Sequence, residues 1–115
     1  MGKKVYVVDD DPDLVKVVSF RLKSAGFDVQ SFTSGASALE AIQSSPPQAI
    51  VLDIQMPDMT GQELASKVDK NLPIIFLTGK VDVDQAGIQK DPKRELFVKP
   101  CDFEALVAKI NEMAA

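Results

Sequence analysis

"VYVVDDDPDLV", residues 5–15, decides how the rest of the chain is read. An apolar run passes straight into three consecutive acids, and Pro12 then opens a helical pattern. The run reads as a buried strand. Asp11 reads as a helix N-cap, with proline in the first helical position, where its missing N–H removes no hydrogen bond. The stretch is therefore a strand's carboxyl end turning into a helix. Its difficulty is charge. Two carboxylates about 4 Å apart repel by roughly 4 kcal/mol at an effective dielectric near 20. Capping accounts for Asp11, but Asp9 and Asp10 call for a counter-charge from elsewhere in the fold.

Outward from this junction the same alternation repeats. Leu14, Val18, Leu22 and Ala25 recur at helical spacing over 13–25, and Gly26 stops that helix. A strand is expected at 27–32. Ser34 is placed to cap a helix over 35–45 with Ala38, Leu39 and Ile42 inward, ended by Pro46 and Pro47. "AIVL", 49–52, is apolar throughout, as a strand covered on both faces should be. A loop follows at 53–61, then a helix over 62–70 with Leu64, Ala65 and Val68 on one side, and a strand at 74–77. A helix is expected over 82–90, weakened by Gly87 and Pro92, then a strand at 95–98. Asp102 caps a last helix with Phe103, Leu106, Val107, Ile110 and Met113 on its apolar stripe. Five alternating strand and helix units predict an α/β fold, with a parallel sheet covered by helices on both faces.

Composition narrows the function. At 115 residues and 45% hydrophobic content the chain has material for one packed core. A net charge of −4 argues against direct nucleic-acid binding, which calls for a basic face. No apolar run reaches the length of a membrane span. Lys3 and Lys4 lead directly into the first strand, so no signal peptide is expected. Cys101 is the only cysteine, which excludes an internal disulfide and suits a reducing cytoplasm; packing is its expected role. There is no histidine, so His-based triads, His-ligated metals and a phosphohistidine within this chain are excluded. Metal ligation would use oxygen, which favours a hard cation such as Mg²⁺ or Ca²⁺.

In parallel α/β sheets ligands bind beyond the carboxyl ends of the strands. Here those ends carry Asp9, Asp10 and Asp11, then Asp53, Thr78 and Lys99-Pro100. Lys99 supplies one positive charge. A divalent cation would supply more, and its open coordination positions suit a phosphoryl group. Thr78 can donate a hydrogen bond to a phosphoryl oxygen, and Lys99 can neutralise another.

With "VVDDDP", "LDIQMPDMTG", "LTG" and "FVKP" in this order, the chain resembles the receiver (CheY-like) domain of bacterial two-component response regulators. The resemblance implies a flavodoxin-like (βα)5 doubly wound sheet of strand order 2-1-3-4-5, with a short or irregular fourth helix. It covers 1–115 as one receiver domain, whole or cut from a longer regulator. Asp53 would be the phosphoryl acceptor. Asp10, Asp53 and the backbone carbonyl of Gln55 would ligate Mg²⁺ or Mn²⁺, with Asp9 acting through a metal-bound water. Thr78 and Lys99 would contact the phosphoryl oxygens. The donor would be a histidine kinase or a phosphotransfer protein. An output domain or a homodimer would use the face made by the fourth and fifth strands and helices. Such a domain assists its own phosphorylation and dephosphorylation and is not an enzyme turning over a substrate pool.

Three other classes share parts of the pattern. A haloacid-dehalogenase-type phosphatase also forms an aspartyl phosphate after a first strand, and Asp9 and Asp11 have its D-x-D spacing. Asp13 stands where that pattern wants Thr or Val, and the chain is shorter than most such enzymes. A receiver fold serving only as an interaction module usually lacks acceptor or acidic residues, which are all present here. A flavodoxin-like flavin binder would need a Ser/Thr/Gly-rich phosphate loop after the first strand, where the acids stand. One departure from the receiver pattern concerns the output face. Many receivers carry an aromatic three residues before the strand 5 lysine; here that position is Leu96, and Phe97 is one place on. A one-residue shift moves a side chain to the opposite face of a strand. An aromatic-independent switch carried by the 79–94 segment, within a responsive 79–99 face, is therefore expected.

Overall fold

The structure, a computed structural model, describes residues 3–53, 59, 61–69, 71–78, 94–98 and 103–114. Five parallel strands, β1 (Lys4–Val8), β2 (Asp28–Phe32), β3 (Ala49–Asp53), β4 (Ile74–Thr78) and β5 (Arg94–Val98), lie in the order β2-β1-β3-β4-β5. Helices α1 (Pro12–Ser24), α2 (Gly35–Ser44), α3 (Gly61–Ser66) and a C-terminal helix (Phe103–Met113) accompany them. The fold class and strand order expected from the sequence are those observed. The helix expected over 82–90, the Asp102 cap and Cys101 lie outside the described residues. So do Gln55, Lys99 and most of the 79–94 segment.

Strand alternation divides the core in two. Val5 and Val7 of β1, Ala49 and Val51 of β3, and Ile75 and Leu77 of β4 face α1 and the C-terminal helix. Their neighbours Tyr6 and Val8, Ile50 and Leu52, and Ile74 and Phe76 face α2 and α3. Every residue of β3 is buried. That is why its sequence shows no polar alternation until Asp53.

The helix ends follow from local chemistry. The Asp11 carboxylate accepts hydrogen bonds from the Asp13 N–H at 3.0 Å and the Leu14 N–H at 3.4 Å, as an N-cap should. Ser34 Oγ accepts from the Ser37 N–H at the start of α2. At the far end of α1 the Gly26 N–H donates to the Lys23 carbonyl and the Phe27 N–H to the Leu22 carbonyl, the paired bonds of a Schellman turn. Gly26 has φ +98°, a conformation that any other residue adopts only with strain.

Two expectations need correction. The helix expected over 62–70 is shorter, ending at Ser66. Beyond it the Lys67 and Val68 N–H groups donate to carbonyls only three residues back, and Asp69 accepts from the Asn71 N–H in a side-chain turn. On α1 the buried arc is Val15, Val18, Ser19 and Leu22; Leu14 is half-buried and Ala25 is an exposed cap. The arc is rotated because α1 packs on the sheet through Val15, leaving Leu14 at the margin of that core layer.

Ser19 is the polar member of that arc, and its hydroxyl has no hydrogen-bond partner. A buried hydroxyl left unpaired costs about 1–3 kcal/mol, and alanine is the better helix former. Ser19→Ala is expected to raise the unfolding free energy by about 1 kcal/mol. A higher urea midpoint at unchanged m-value is the expected reading; a lower midpoint would show that the hydroxyl is satisfied in solution.

Candidate phosphoacceptor and metal site

The site is assembled by register. Val8 pairs with Leu52, so the next residues of the two chains, Asp9 and Asp53, emerge side by side at the carboxyl edge of the sheet. Asp53 in turn pairs with Leu77 of β4, and Thr78 follows as the last residue of that strand, in register with Val98. Apolar strands β1 and β3 thus deliver Asp9 and Asp53 to one edge because they end at nearly the same level, and the backbone of β4 ends there too.

Asp9 is held at several points. Its N–H donates to the Phe32 carbonyl of β2 at 3.1 Å, which prolongs the β1–β2 ladder by one bond. Its Oδ1 accepts from the Asp11 N–H at 2.9 Å, which closes the turn into α1. Asp11 is itself held by its cap. The three acids therefore have distinct duties. Asp11 fixes the helix, Asp9 fixes the turn and lies buried, and Asp10 between them is exposed.

Asp9, Asp10 and Asp53 each present one carboxylate oxygen, and these three oxygens lie within 4.8 Å of one another. Asp9 is 3% and Asp53 7% exposed, so both carboxylates sit largely out of water. Repulsion at this spacing is a matter of several kcal/mol when the dielectric falls to about 20. Three hard oxygens in this arrangement fit a divalent cation, with Asp10 facing the solvent from which the ion would come. No other group of three such side chains occurs among the described residues. A separate concavity of about 470 Å³, whose lining includes Ile42, Gln43, Lys67 and Leu72, contains none of these acids.

The structure thus brings together Asp9, Asp10 and Asp53 of the expected set. It places the backbone of Thr78 at the same edge; Gln55 and Lys99 fall outside the described residues. One contribution was missed by sequence reasoning, which assigned nothing to the end of β2. The Phe32 carbonyl anchors Asp9, a role that only strand register reveals.

A family model for the response regulator receiver domain matches residues 5–111. The chain belongs to that family. It is 34% identical over 115 residues to the response regulator receiver protein CpdR of Brucella abortus, covering 96% of each chain. To the DNA-binding response regulator MtrA of Mycolicibacterium smegmatis it is 31% identical over 114 residues, 96% of this chain and 50% of the relative. The chain therefore spans about half the length of the MtrA proteins it matches. Among solved structures, chemotaxis response regulator CheY4 of Vibrio cholerae superposes with a TM-score of 0.81 at 28% identity, covering 98% of this chain and 99% of that one. No helix among the described residues is long and apolar enough to cross a membrane.

Crowding of the three carboxylates has a thermodynamic consequence. In metal-free buffer Asp53→Ala is expected to melt at a higher temperature than the unsubstituted protein, because it removes one of three repelling charges. Added Mg²⁺ is expected to raise the melting temperature of the unsubstituted receiver and to raise that of the variant less. A variant that is less stable without metal would contradict this electrostatic reading.

Proposed function

We propose that this receiver domain accepts a phosphoryl group on Asp53 from a histidine kinase or phosphotransfer protein, with Mg²⁺ or Mn²⁺ bound beside it. The observation that carries this reading is the convergence of buried Asp53 with Asp9 and Asp10 at the carboxyl edge of a receiver sheet. Asp10, Asp53 and the Gln55 carbonyl would hold the cation directly, and Asp9 would hold it through water. When bound, the cation neutralises charge on the transferring group and lowers repulsion against the incoming phosphate.

Each remaining step belongs to the protein's own residues. A carboxylate oxygen of Asp53 attacks the phosphorus of phosphohistidine. The phosphorus–oxygen bond forms as the phosphorus–nitrogen bond breaks, and the leaving imidazole nitrogen keeps the electron pair and takes a proton from water. Thr78 and Lys99 contact the phosphoryl oxygens, Thr78 as hydrogen-bond donor and Lys99 as a charge. Hydrolysis of the acyl phosphate later restores Asp53. The domain thus assists its own modification and is not an enzyme with a substrate pool. A cytoplasmic setting follows from a cytoplasmic kinase as donor. Output passes to a following domain or a second copy through the face of the fourth and fifth strands and helices.

With Leu96 at the usual aromatic position, the conformational response runs through the 79–94 segment. By backbone register Leu96 stands beside Phe76 and Phe97 beside Leu77, so the two occupy successive, alternating positions of β5.

Acetyl phosphate with Mg²⁺ is expected to add one phosphoryl mass to the protein and none to Asp53→Asn. Undiminished labelling of that variant would remove Asp53 from the role. On the same protein, beryllofluoride is expected to change amide exchange in 79–94; changes confined to the loops around Asp10 and Asp53 would refute this route of response.

A further inference from the structure

β2 is an edge strand, and few side chains hold it to the core. Of its five residues only Val29 is buried, and Phe32 is half-buried. The two leave the strand on opposite faces. Val29 joins the layer shared with α1 and the C-terminal helix, and Phe32 packs on the layer shared with α2 and α3. On that second face Phe32 is the one apolar attachment of β2, since Asp28 and Gln30 are exposed.

Phe32 rests against a ring that is itself fixed. The Tyr6 and Phe32 ring centroids are 5.0 Å apart with the planes at 64°, an edge-to-face contact. Tyr6 is 1% exposed, and its hydroxyl donates to the Ser45 carbonyl, just beyond α2, at 2.6 Å. Lys4 Nζ lies 5.3 Å from the centroid of the Tyr6 ring and also donates to Ser45. Tyr6 therefore cannot shift without disturbing the end of α2. The backbone of Phe32 faces the other way, toward the site. Its carbonyl accepts the Asp9 N–H, one residue past the end of β1. That bond is the last rung between the two strands, and strand ends open more readily than their centres. Repulsion favours any displacement that separates the carboxylates of Asp9, Asp10 and Asp53, so the backbone must impose the place of Asp9.

We infer that Phe32 is a positioning residue for the cation site: its ring, lodged on Tyr6, holds the end of β2 level with β1, and its carbonyl thereby fixes Asp9 where the metal needs it. Phe32 acts through the Asp9 backbone and supplies no ligand. An alanine at this position keeps the carbonyl and loses the ring that levels it, so the side chain and the hydrogen bond can be tested apart. This inference rests on Asp9, Asp10 and Asp53 forming one cation site.

The test measures Mg²⁺ affinity by calorimetry and exchange of the Asp9 amide by NMR. It compares the unsubstituted chain with Phe32→Ala, Phe32→Leu, Phe32→Tyr and Val29→Ala, at a temperature where each is folded by circular dichroism. Phe32→Ala is expected to bind Mg²⁺ at least fivefold more weakly and to exchange the Asp9 amide at least tenfold faster. Phe32→Leu keeps most of the apolar volume without the ring edge; its expected loss is smaller but in the same direction, and it decides the matter if Phe32→Ala does not fold. Phe32→Tyr keeps the ring and is expected to retain the affinity. Val29→Ala weakens the same strand from the opposite face, so it is expected to lower the melting temperature while leaving Mg²⁺ affinity within twofold. Unchanged affinity in Phe32→Ala and Phe32→Leu would overturn the proposal. So would an equal loss in Val29→Ala, which would make the effect a general loosening of β2. Failure of the underlying site is separate, since it shows as Asp10→Asn binding Mg²⁺ like the unsubstituted chain.

Discussion

Mutual repulsion of three carboxylates is the constraint around which this molecule is organised. Sheet register makes Asp9 and Asp53 meet, but nothing in the stability of the sheet calls for acids at these positions. Oxygens of Asp9, Asp10 and Asp53 nevertheless lie within 4.8 Å of one another, two of the three side chains being buried. Such an arrangement is held only because the rest of the fold over-determines it. β1 and β3 are buried neighbours in fixed register, so Asp9 and Asp53 cannot move apart without breaking the Val8–Leu52 pairing. The Phe32 carbonyl and the Asp11 N–H fix Asp9 from two further directions. Stability of the apolar layers thus offsets an electrostatic cost at the edge, a cost that a bound cation would relieve.

The two core layers explain why the edge is so well defined. α1 and the C-terminal helix cover one face of the sheet, and α2 and α3 cover the other. β3 is covered on both sides, and Asp53 is where its apolar run ends. A strand that leaves its core at an acid presents that acid at a fixed height, and β1 and β3, paired in register, present theirs together. The chemistry of a receiver needs little more than this levelling, a cation and a lysine, because phosphoryl transfer depends mainly on positioning and charge neutralisation.

Much of this is legible in the residues, and for identifiable reasons. Asp11-Pro12 carries a cap and a helix start in two letters, and the structure shows the cap bonds. "AIVL" followed by Asp53 marks a doubly covered strand and its end. Order at the level of the sheet was available only through resemblance, since no local pattern encodes β2-β1-β3. Where reading failed, the competing effect was tertiary or a turn. Leu14 and Val15 are equally apolar, and only packing against the sheet selects Val15. The end of α3 was overestimated because Lys67 to Asp69 continue an acceptable helical pattern, while three-residue bonds and the Asp69 side chain turn the chain instead. The Phe32 carbonyl was invisible because a backbone oxygen has no letter.

The central claim is that Asp9, Asp10 and Asp53 act as one cation site, not as a general acidic surface. Calorimetric titration of Mg²⁺ into the protein and into Asp9→Asn, Asp10→Asn and Asp53→Asn tests it directly. One ion per chain and a loss of at least tenfold in affinity for each variant, about 1.4 kcal/mol, is the predicted result. A variant that binds Mg²⁺ as tightly as the unsubstituted receiver would contradict the account.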